Sequence, residues 1–161
     1  MFREMRRKRQ QLSREDTEEI LRGGTSGVLA VLGDGGYPYA VPLSYLYREG
    51  KIYFHCAAEG HKLDAIRQNE KVSFCVIGKD DVRPEEYTTC FRSAVAFGRA
   101  RVLEGQDAWQ ALDALAGRYA PGHEEERRRE MDSQMHRLRV VEIAVEHMTG
   151  KEAMALAKAR G

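Results

Sequence analysis

A stretch of small, basic and polar residues at 54–64 carries the residue types that bind a phosphate group. Its sequence is FHCAAEGHKLD, in which a strand end and a small-residue loop lead to Gly60, His61 and Lys62 at the predicted start of a helix. The first N–H groups of a helix have no partner within the helix, and the helix dipole places positive charge there. With a lysine added, these groups form an anion cradle suited to a phosphate. Because lysine and histidine are also common at helix starts, an ordinary surface helix remains the alternative.

A second candidate contact is the sequence VPLSY at 41–45. Pro42 has no N–H to donate to a neighbouring strand, so nearby backbone groups stay free to face a ligand, and Ser44 adds a hydroxyl. A flat heteroaromatic ring with polar edges would suit such a strand. An edge strand blunted by proline, with no ligand at all, explains the same residues equally well.

Several well-known binding motifs are absent from the sequence. It contains no G-x-x-x-x-G-K-[ST] and no strand-linked G-x-G-x-x-G, which argues against nucleoside triphosphate and Rossmann dinucleotide binding. Cys56, Cys75 and Cys90 are an odd number without C-x-x-C spacing, so we expect free thiols that pack as small hydrophobic residues. Neither the cysteines nor the histidines have the spacing of metal ligands, and no metal is predicted.

Composition limits the class of protein. The 161 residues, 42% hydrophobic and 32% charged, predict one globular domain spanning 1–161. A net charge of +1 argues against a general polyanion binder, so any anion site must be local. Apolar runs of only five residues, such as 28–32, predict neither a transmembrane helix nor an export signal, and hence a cytoplasmic protein. An N-terminal arm, 1–12, is basic at 6–9, but acidic residues at 15–19 favour a solvated arm over a nucleic-acid or membrane contact.

Hydrophobic periodicity predicts a mainly β fold with peripheral helices. The predicted strands are 28–32, 37–47, 51–56, 71–77, 89–103 and 138–145, and the predicted helices are 14–22, 61–69, 105–118 and a C-terminal helix within 151–161. Two prolines make 37–47 an edge, bulged or interrupted strand, and Gly98 marks a bend or bulge. We expect a polar connection at 78–88, a solvated face or connector at 124–130, and a turn at MTGK, 148–151. Hairpin-linked strands with helices at the corners favour a closed or partly closed six-stranded antiparallel barrel.

An ordered set of segments resembles the split-barrel FMN-binding proteins related to pyridoxamine 5′-phosphate oxidase, particularly their shorter, nitroimidazole-resistance-like branch. The segments are a basic opening with a short helix, GVLAVLGDGGYPYAVPLSY, IYFHCAAEGHKLDAI, FRSAVAFGRARVL and VVEIAVEHMTGK. They run in family order from about residue 3 to residue 151. The resemblance implies a six-stranded split barrel that binds FMN at a homodimer interface, with residues from both subunits.

The resemblance also assigns cofactor-binding residues, residue by residue. They are Val41, Pro42, Leu43 and Ser44 at the flavin ring; His55 near the ribityl chain or ring; Gly60, His61 and Lys62 at the phosphate; Ser93; and Thr149, Gly150 and Lys151 near the flavin of the same or the partner chain. Two departures stand out. The only tryptophan is Trp109, whereas pyridoxamine phosphate oxidases carry one in a C-terminal substrate segment, which argues against vitamin B6 oxidation. His61 replaces a common arginine, so charge there would depend on pH near the ordinary histidine pKa of about 6.5.

The sequence therefore predicts an FMN-dependent oxidoreductase that passes electrons from a nicotinamide donor to a small molecule such as a nitroaromatic. His55 is the one candidate general acid or base. The alternative is a split barrel that holds a flavin, deazaflavin or haem without turnover, as a store or sensor.

Overall fold

One antiparallel sheet of seven strands dominates the structure, a computed structural model that describes all residues from Met1 to Gly161. The strands are β1 (Ser26–Leu32), β2 (Pro38–Ser44), β3 (Leu46–Arg48), β4 (Lys51–Ala57), β5 (Lys71–Arg83), β6 (Thr88–Val102) and β7 (Leu138–Glu152). The helices are α1 (Arg14–Gly23), α2 (His61–Gln68), α3 (Gly105–Tyr119), α4 (Glu124–Gln134) and α5 (Met154–Arg160). This architecture confirms the predicted mainly β class with peripheral helices. None of the helices is long and apolar enough to cross a lipid bilayer.

The strand order β2-β1-β5-β6-β7-β4-β3 explains how the sheet forms a split barrel. Its two edge strands, β2 and β3, are consecutive in the chain and are separated only by Tyr45. The sheet must therefore curl until its edges meet at that residue. Because β3 pairs only with 51–53 of β4, the rest of β4 faces β2 across an unpaired gap, which we call the split.

The inside of the barrel is filled by alternate residues of the strands, as the two-residue period of a strand requires. The largest fully buried side chains there include Tyr45, Phe54, Phe74, Leu29 and Val141. The rings of Tyr45 and Phe74 meet edge to face with their centroids 5.0 Å apart. A second, smaller core lies outside the barrel, where Leu112 and Leu115 of α3 pack on Tyr53 and Val140. Leu112 and Leu115 thus form the face by which α3 packs on the barrel.

Tyr45 closes the barrel with the help of α3. The hydroxyl of Tyr119 accepts a hydrogen bond from the backbone N–H of Tyr45 (3.0 Å) and donates to its carbonyl oxygen (2.6 Å). A side chain thereby satisfies backbone groups that have no strand neighbour. The buried hydroxyl of Tyr45 itself donates to the carbonyl oxygen of Leu21 (2.5 Å). Burial is the main cause of a raised pKa for Tyr45, and the nearby Tyr119 adds to the rise, so the hydroxyl keeps its proton and remains a donor.

The structure corrects the predicted strand count and two predicted boundaries. The segment 37–47, predicted as an edge, bulged or interrupted strand, is interrupted at Tyr45 and supplies both edges of the sheet, which gives seven strands where six were predicted. The connection predicted at 78–88 is largely strand, because β5 keeps pairing with β6 as far as Arg83 and Thr88. The turn predicted at MTGK is wrong, since β7 pairs with β6 through this sequence to the Arg92–Glu152 pair. Thr149, Gly150 and Lys151 therefore lie on a strand.

The segment predicted as a solvated face or connector, 124–130, forms the first part of α4, and all of its residues except the half-buried Arg127 are exposed, as expected of a solvated face. Only Met131 of this helix is buried, so an apolar stripe was not available to predict it. Its first turn is acidic, which suits the positive end of the helix dipole, and Arg127 and Arg128 both bind the carboxylate of Asp113 on α3. Charge pairing, with one buried methionine, fixes this helix.

Two local features agree with the sequence: the S-x-x-D pattern at 13–16 is a helix-capping signature, and Gly98 was expected at a bend or bulge. Ser13 caps α1 by accepting a hydrogen bond from the backbone N–H of Asp16 (3.0 Å). Gly98 marks a bulge, where the β6–β7 register shifts and an added Cβ would lie 2.3 Å from the carbonyl oxygen of Ala144.

The N-terminal arm is only partly solvated. Arg6 and its basic neighbours to residue 9 are exposed, whereas Gln10 and Leu12 are buried. The Leu12 N–H donates to the carbonyl of Gly150 (2.9 Å). At the other end of the arm, the ring of Phe2 stacks on His147 with their centroids 4.7 Å apart. The arm thus lies along the outer face of β6 and β7.

Candidate functional site

The predicted phosphate loop joins the end of β4 to α2. Gly60 has φ 146° and ψ 169°, a conformation that is essentially restricted to glycine, and it directly precedes His61, the first residue of α2. An added Cβ at Gly60 would meet nothing within 4 Å, so the backbone angles alone require glycine here. The loop leaves the first N–H groups of α2 without a side-chain cap, with Lys62 beside them.

His61 is committed to the turn between β1 and β2. Its Nε2 accepts a hydrogen bond from the backbone N–H of Asp34 (3.2 Å), and its ring stacks on Tyr39 with centroids 4.2 Å apart. An added Cβ at Gly33 would lie 3.1 Å from this Nε2, so glycine allows the close approach. The same Nε2 lies 3.8 Å from a carboxylate oxygen of Asp34. His61 is thus engaged with the β1–β2 turn, which leaves Lys62 as the cationic side chain of the loop that has no carboxylate partner.

Two further cations lie close to the cradle, and the sequence did not reveal them. Cys56 on β4 pairs across the sheet with Arg139 of β7. Burial raises the pKa of the Cys56 thiol, and the charges of Lys62, Arg139 and Arg67 oppose that rise, so all three cations lie near the thiol. None of them forms an ion pair with a carboxylate. Three cationic side chains without a carboxylate partner are thus gathered at this end of the barrel, although the whole chain is nearly neutral.

β2 is an edge strand, in line with one of the two interpretations of VPLSY, and it borders the split. Its only partner is β1, with Val41 opposite Leu29 and Pro42 opposite Val28. Alternate backbone groups of an edge strand point away from its partner, so those of 41–44 point into the split. The side chains of Val41 and Leu43 turn towards the barrel core, whereas those of Pro42 and Ser44 are exposed. β2 would therefore contact a ligand mainly through its main-chain groups.

His55 lies on the β4 side of this region. Its neighbour Cys56 points into the barrel core, so His55 points to the opposite face, and it pairs across the sheet with Val140. Its side chain keeps contact with solvent, but partial burial lowers its pKa. The imidazole is therefore neutral at physiological pH and able to accept a proton.

The remaining predicted residues form a second group on the outer face of β6 and β7. Ser93 pairs with Lys151, and both line a cavity of about 270 Å³ together with Thr149 and with Arg6 and Arg7 of the N-terminal arm.

Gly150 is different from these neighbours. It is buried against α1, where an added Cβ would lie 2.2 Å from the hydroxyl oxygen of Thr17. Glycine at this position therefore allows β7 to pack closely against α1.

The two groups of predicted residues are not brought together in one chain. Ser93 precedes Arg99 by six residues on β6, which spans about 20 Å of strand. The end of α2 meets β6 just beyond that point, where the N–H of Ala100 donates to the carbonyl of Glu70 (2.8 Å). The cradle and His55 thus lie near one end of the barrel, and Ser93, Thr149 and Lys151 lie towards the other. Residues 41–44 of β2 pair with 26–29 of β1, which the register of β5 and β6 places on the Ser93 side.

Comparison with protein families shows which family this chain belongs to. Residues 13–152 match the family model described as pyridoxamine 5′-phosphate oxidase. The chain belongs to this family. The matched residues of this pyridoxamine 5′-phosphate oxidase family member include β1 to β7, α2, the split and both groups of candidate residues. No curated protein matches the sequence.

Solved structures share the fold of this family member at low sequence identity. A structure described as a candidate 5-nitroimidazole antibiotic resistance protein from Bacteroides thetaiotaomicron is 20% identical, with a TM-score of 0.72 over 88% of this chain and 86% of that one. An FAD-binding protein from Mesorhizobium loti is 26% identical, with a TM-score of 0.61 over 89% and 96%. An FAD- and haem-binding protein from Mycobacterium smegmatis is 22% identical, with a TM-score of 0.78 over 94% and 80%.

Proposed function

We propose that this chain binds FMN in the split and acts as an oxidoreductase that passes electrons from a nicotinamide donor to a small acceptor such as a nitroaromatic. The observation that carries the proposal is the combination of an uncapped helix start at Gly60–Lys62 with the unpaired edge of β2. Family membership and solved structures described as FAD-binding support a flavin as the ligand. The single phosphate of FMN suits a loop with one lysine.

The residues present fit a flavin in chemical type. Lys62 and the free N–H groups of α2 would hold the phosphate, with Gly60 setting the loop. Backbone groups of Val41, Pro42, Leu43 and Ser44 would meet the polar edge of the ring. When bound, a flavin supplies the hydride and electron transfer.

The chain's own residues would bind and orient the reactants and handle protons. His55 is the candidate proton carrier, because partial burial lowers its pKa and leaves the imidazole neutral at physiological pH. His61 has a positioning role: it holds the β1–β2 turn against α2 through Asp34. The apolar side chains of Val41 and Leu43 close the inner side of the split and exclude water from it.

We further propose that the chain works as a homodimer with the flavin at the interface. Apolar side chains on the outer face of β1 and β5 are exposed: 37% of Val28, 59% of Leu32 and 67% of Ile77. A second copy covering this face would remove them from water. It would also supply what one chain lacks, since Ser93 and Lys151 lie about 20 Å of strand away from the cradle region.

One observation favours the alternative of a cofactor-binding module without turnover. Along the β2 side of the split, 41–44 contribute no titratable side chain, which leaves His55 as the single proton carrier. A split barrel of this kind would store or sense a flavin or haem without consuming a substrate. A nucleic-acid or membrane partner has no comparable support.

An absorbance spectrum of the purified protein, before and after addition of FMN, tests the binding step. We expect flavin bands and saturable uptake of FMN, and a colourless protein that fails to take up FMN would contradict the proposal. Oxidation of NADH or NADPH, with and without a nitroaromatic acceptor, then separates the two functions. Bound flavin with no turnover would favour the module.

A further inference from the structure

A second cavity, of about 600 Å³, lies between α2, the end of β6, the start of α3 and the start of β7. None of the predicted cofactor-binding residues lines it. Eight of its fourteen lining residues are hydrophobic, and we call this part of the lining, which includes Ile66, Leu103, Met135 and Leu138, the floor. Its volume falls in the range of about 300–1,000 Å³ that is usual for small-molecule sites.

Two arginines without carboxylate partners line this cavity. Arg139 enters from β7 and donates its one hydrogen bond to the carbonyl of Leu138 (2.8 Å), and Arg67 enters from α2. Both lie near the Cys56 thiol. A guanidinium presents several N–H donors in a planar fork that matches carboxylate and phosphate oxygens. These donors lack such a partner within the chain.

The other charged groups of the cavity leave it net positive. Arg101 is paired with Glu142 (Nε to Oε1, 3.0 Å), and Glu70 is paired with Arg99. Only Glu104, at the start of α3, adds an unpaired negative charge, against the two positive charges of Arg67 and Arg139. The cavity therefore combines an apolar floor with an excess of cationic donors.

From this combination we infer that the cavity binds an organic phosphate, with its oxyanion on Arg139 and Arg67 and its apolar part on the floor. This site adjoins the proposed FMN phosphate cradle, but Gly60, His61 and Lys62 do not line it. Lys62 precedes Ile66 of the cavity floor by one turn of α2, about 6 Å along the helix axis, so two anions would occupy successive turns. The inference concerns binding and does not require the flavin.

Calorimetric titration with AMP, adenosine and inorganic phosphate tests the site, first on the protein alone and then with saturating FMN. We expect AMP to bind with and without FMN, and to bind more tightly than adenosine or phosphate, because only AMP offers both the anion and a flat aromatic ring whose faces can pack on the floor. Quenching of Trp109, the sole tryptophan and the neighbour of Ala108 in the cavity wall, gives a second readout. The inference would be overturned if AMP did not bind, or if FMN displaced it. If phosphate bound as tightly as AMP, the cavity would be an anion site only, and the proposed organic phosphate ligand would be wrong.

Matched variants locate the site. Arg139→Gln and Arg67→Gln are each expected to weaken AMP binding about tenfold or more, since each removes a charged hydrogen bond. Arg67 is exposed on α2, so its replacement keeps the test valid even if Arg139→Gln fails to fold. Arg129→Gln, on the exposed face of α4, removes the same charge away from the cavity and should leave the affinity unchanged. Equal affinity in the wild type and both cavity variants would place AMP elsewhere and refute the inference. If FMN does not bind but AMP does, the flavin proposal fails alone.

Discussion

The backbone N–H of Asp34 donates a hydrogen bond of 3.2 Å to Nε2 of His61, which joins the β1–β2 turn to the first turn of α2. The same imidazole stacks on Tyr39. His61 was predicted to meet the cofactor phosphate with a charge that varies with pH. In the folded chain its Nε2 is already engaged as an acceptor, so the neighbouring Lys62 is left to carry the positive charge of the loop.

Replacing Lys62 by alanine should weaken FMN binding by about 1.5–3 kcal/mol, the contribution of a charged hydrogen bond. His61→Phe keeps a ring against Tyr39 but removes the acceptor of the Asp34 N–H. It should lower the free energy of unfolding by about 1 kcal/mol and change FMN affinity far less. Fluorescence titration of FMN measures the affinities, with Lys158→Ala on α5 as the control. If His61→Phe weakens binding as much as Lys62→Ala, the imidazole is itself a phosphate ligand.

Gly60→Ala should cost about 1–3 kcal/mol of backbone strain, because φ 146° is unfavourable for any residue with a Cβ. The added methyl group meets nothing, so the effect comes from the dihedral angles alone. Urea unfolding measures the stability loss, and FMN affinity should fall with it as the loop changes shape. Gly23→Ala also adds a methyl group into open space, but at an ordinary φ, and should not destabilise the protein. Equal effects of the two variants would show that the Gly60 conformation is not required.

Ile77→Lys should shift the protein from dimer to monomer if a second copy covers the outer face of β5. Two-fold symmetry buries the isoleucine twice, so dimerisation should weaken by roughly 3 kcal/mol, about 1.5 from each side chain. Light scattering over a concentration series measures the change. Gln110→Lys adds the same charge on the exposed face of α3 and serves as the control. A dimer that tolerates Ile77→Lys unchanged would rule out this face as the interface.

Removal of the Tyr119 hydroxyl of α3 should weaken the contacts that close the barrel at Tyr45. Tyr119→Phe leaves the N–H and carbonyl of Tyr45 without their partner and should lower the free energy of unfolding by about 1 kcal/mol. Thermal or urea unfolding measures the change. Tyr87→Phe removes a hydroxyl from a residue that is 98% exposed and should have no effect. If the two variants are equally stable, water replaces the Tyr119 hydroxyl at no cost.

Glu142 should contribute stability at neutral pH that is lost in acid. Burial raises its pKa, but the hydrogen bond to Arg101 and the charges of Arg101 and Lys51 outweigh burial and hold the pKa below its ordinary value of 4.5. The folded state therefore binds this proton less readily than the unfolded state. The contribution is complete above the ordinary pKa and disappears as pH falls through the lower, folded-state value.

Glu142→Gln should accordingly lower the free energy of unfolding at neutral pH by about 1 kcal/mol, because its partners are partly exposed. The difference from the wild type should narrow towards about pH 4 and below. Urea unfolding across that range measures it. A difference that stays constant with pH would mean that the carboxylate does not titrate as described.

The sequence predicted those parts of the fold that depend on local pattern. Alternation of apolar and polar residues identified the strands that fill the barrel, Ser13 located the start of α1, and Gly98 located the bulge of β6. The sequence pattern failed where pairing between strands decided the structure. Thr149 and Gly150 have turn-like composition but stay in β7 because β6 continues alongside them.

Other misses have the same origin in contacts between distant residues. The sequence at 124–134 has almost no apolar face, and α4 is fixed by the arginines that reach Asp113 on α3. For the candidate site, the loop at Gly60 and Lys62 followed from composition, spacing and resemblance. Arg139 could not be foreseen, because its closeness to the cradle depends on its register opposite Cys56, 83 positions earlier in the chain.

The crossing at Tyr45 gives the split two unlike ends. At one end the strands on either side are the same chain, one residue apart, and cannot separate without breaking a covalent backbone. At the other end the β1–β2 turn is held to α2 by non-covalent contacts alone, among them the hydrogen bond and ring stacking of His61. The split is a slot hinged at Tyr45, and any widening that admits a ligand must take place at the end where the phosphate loop lies.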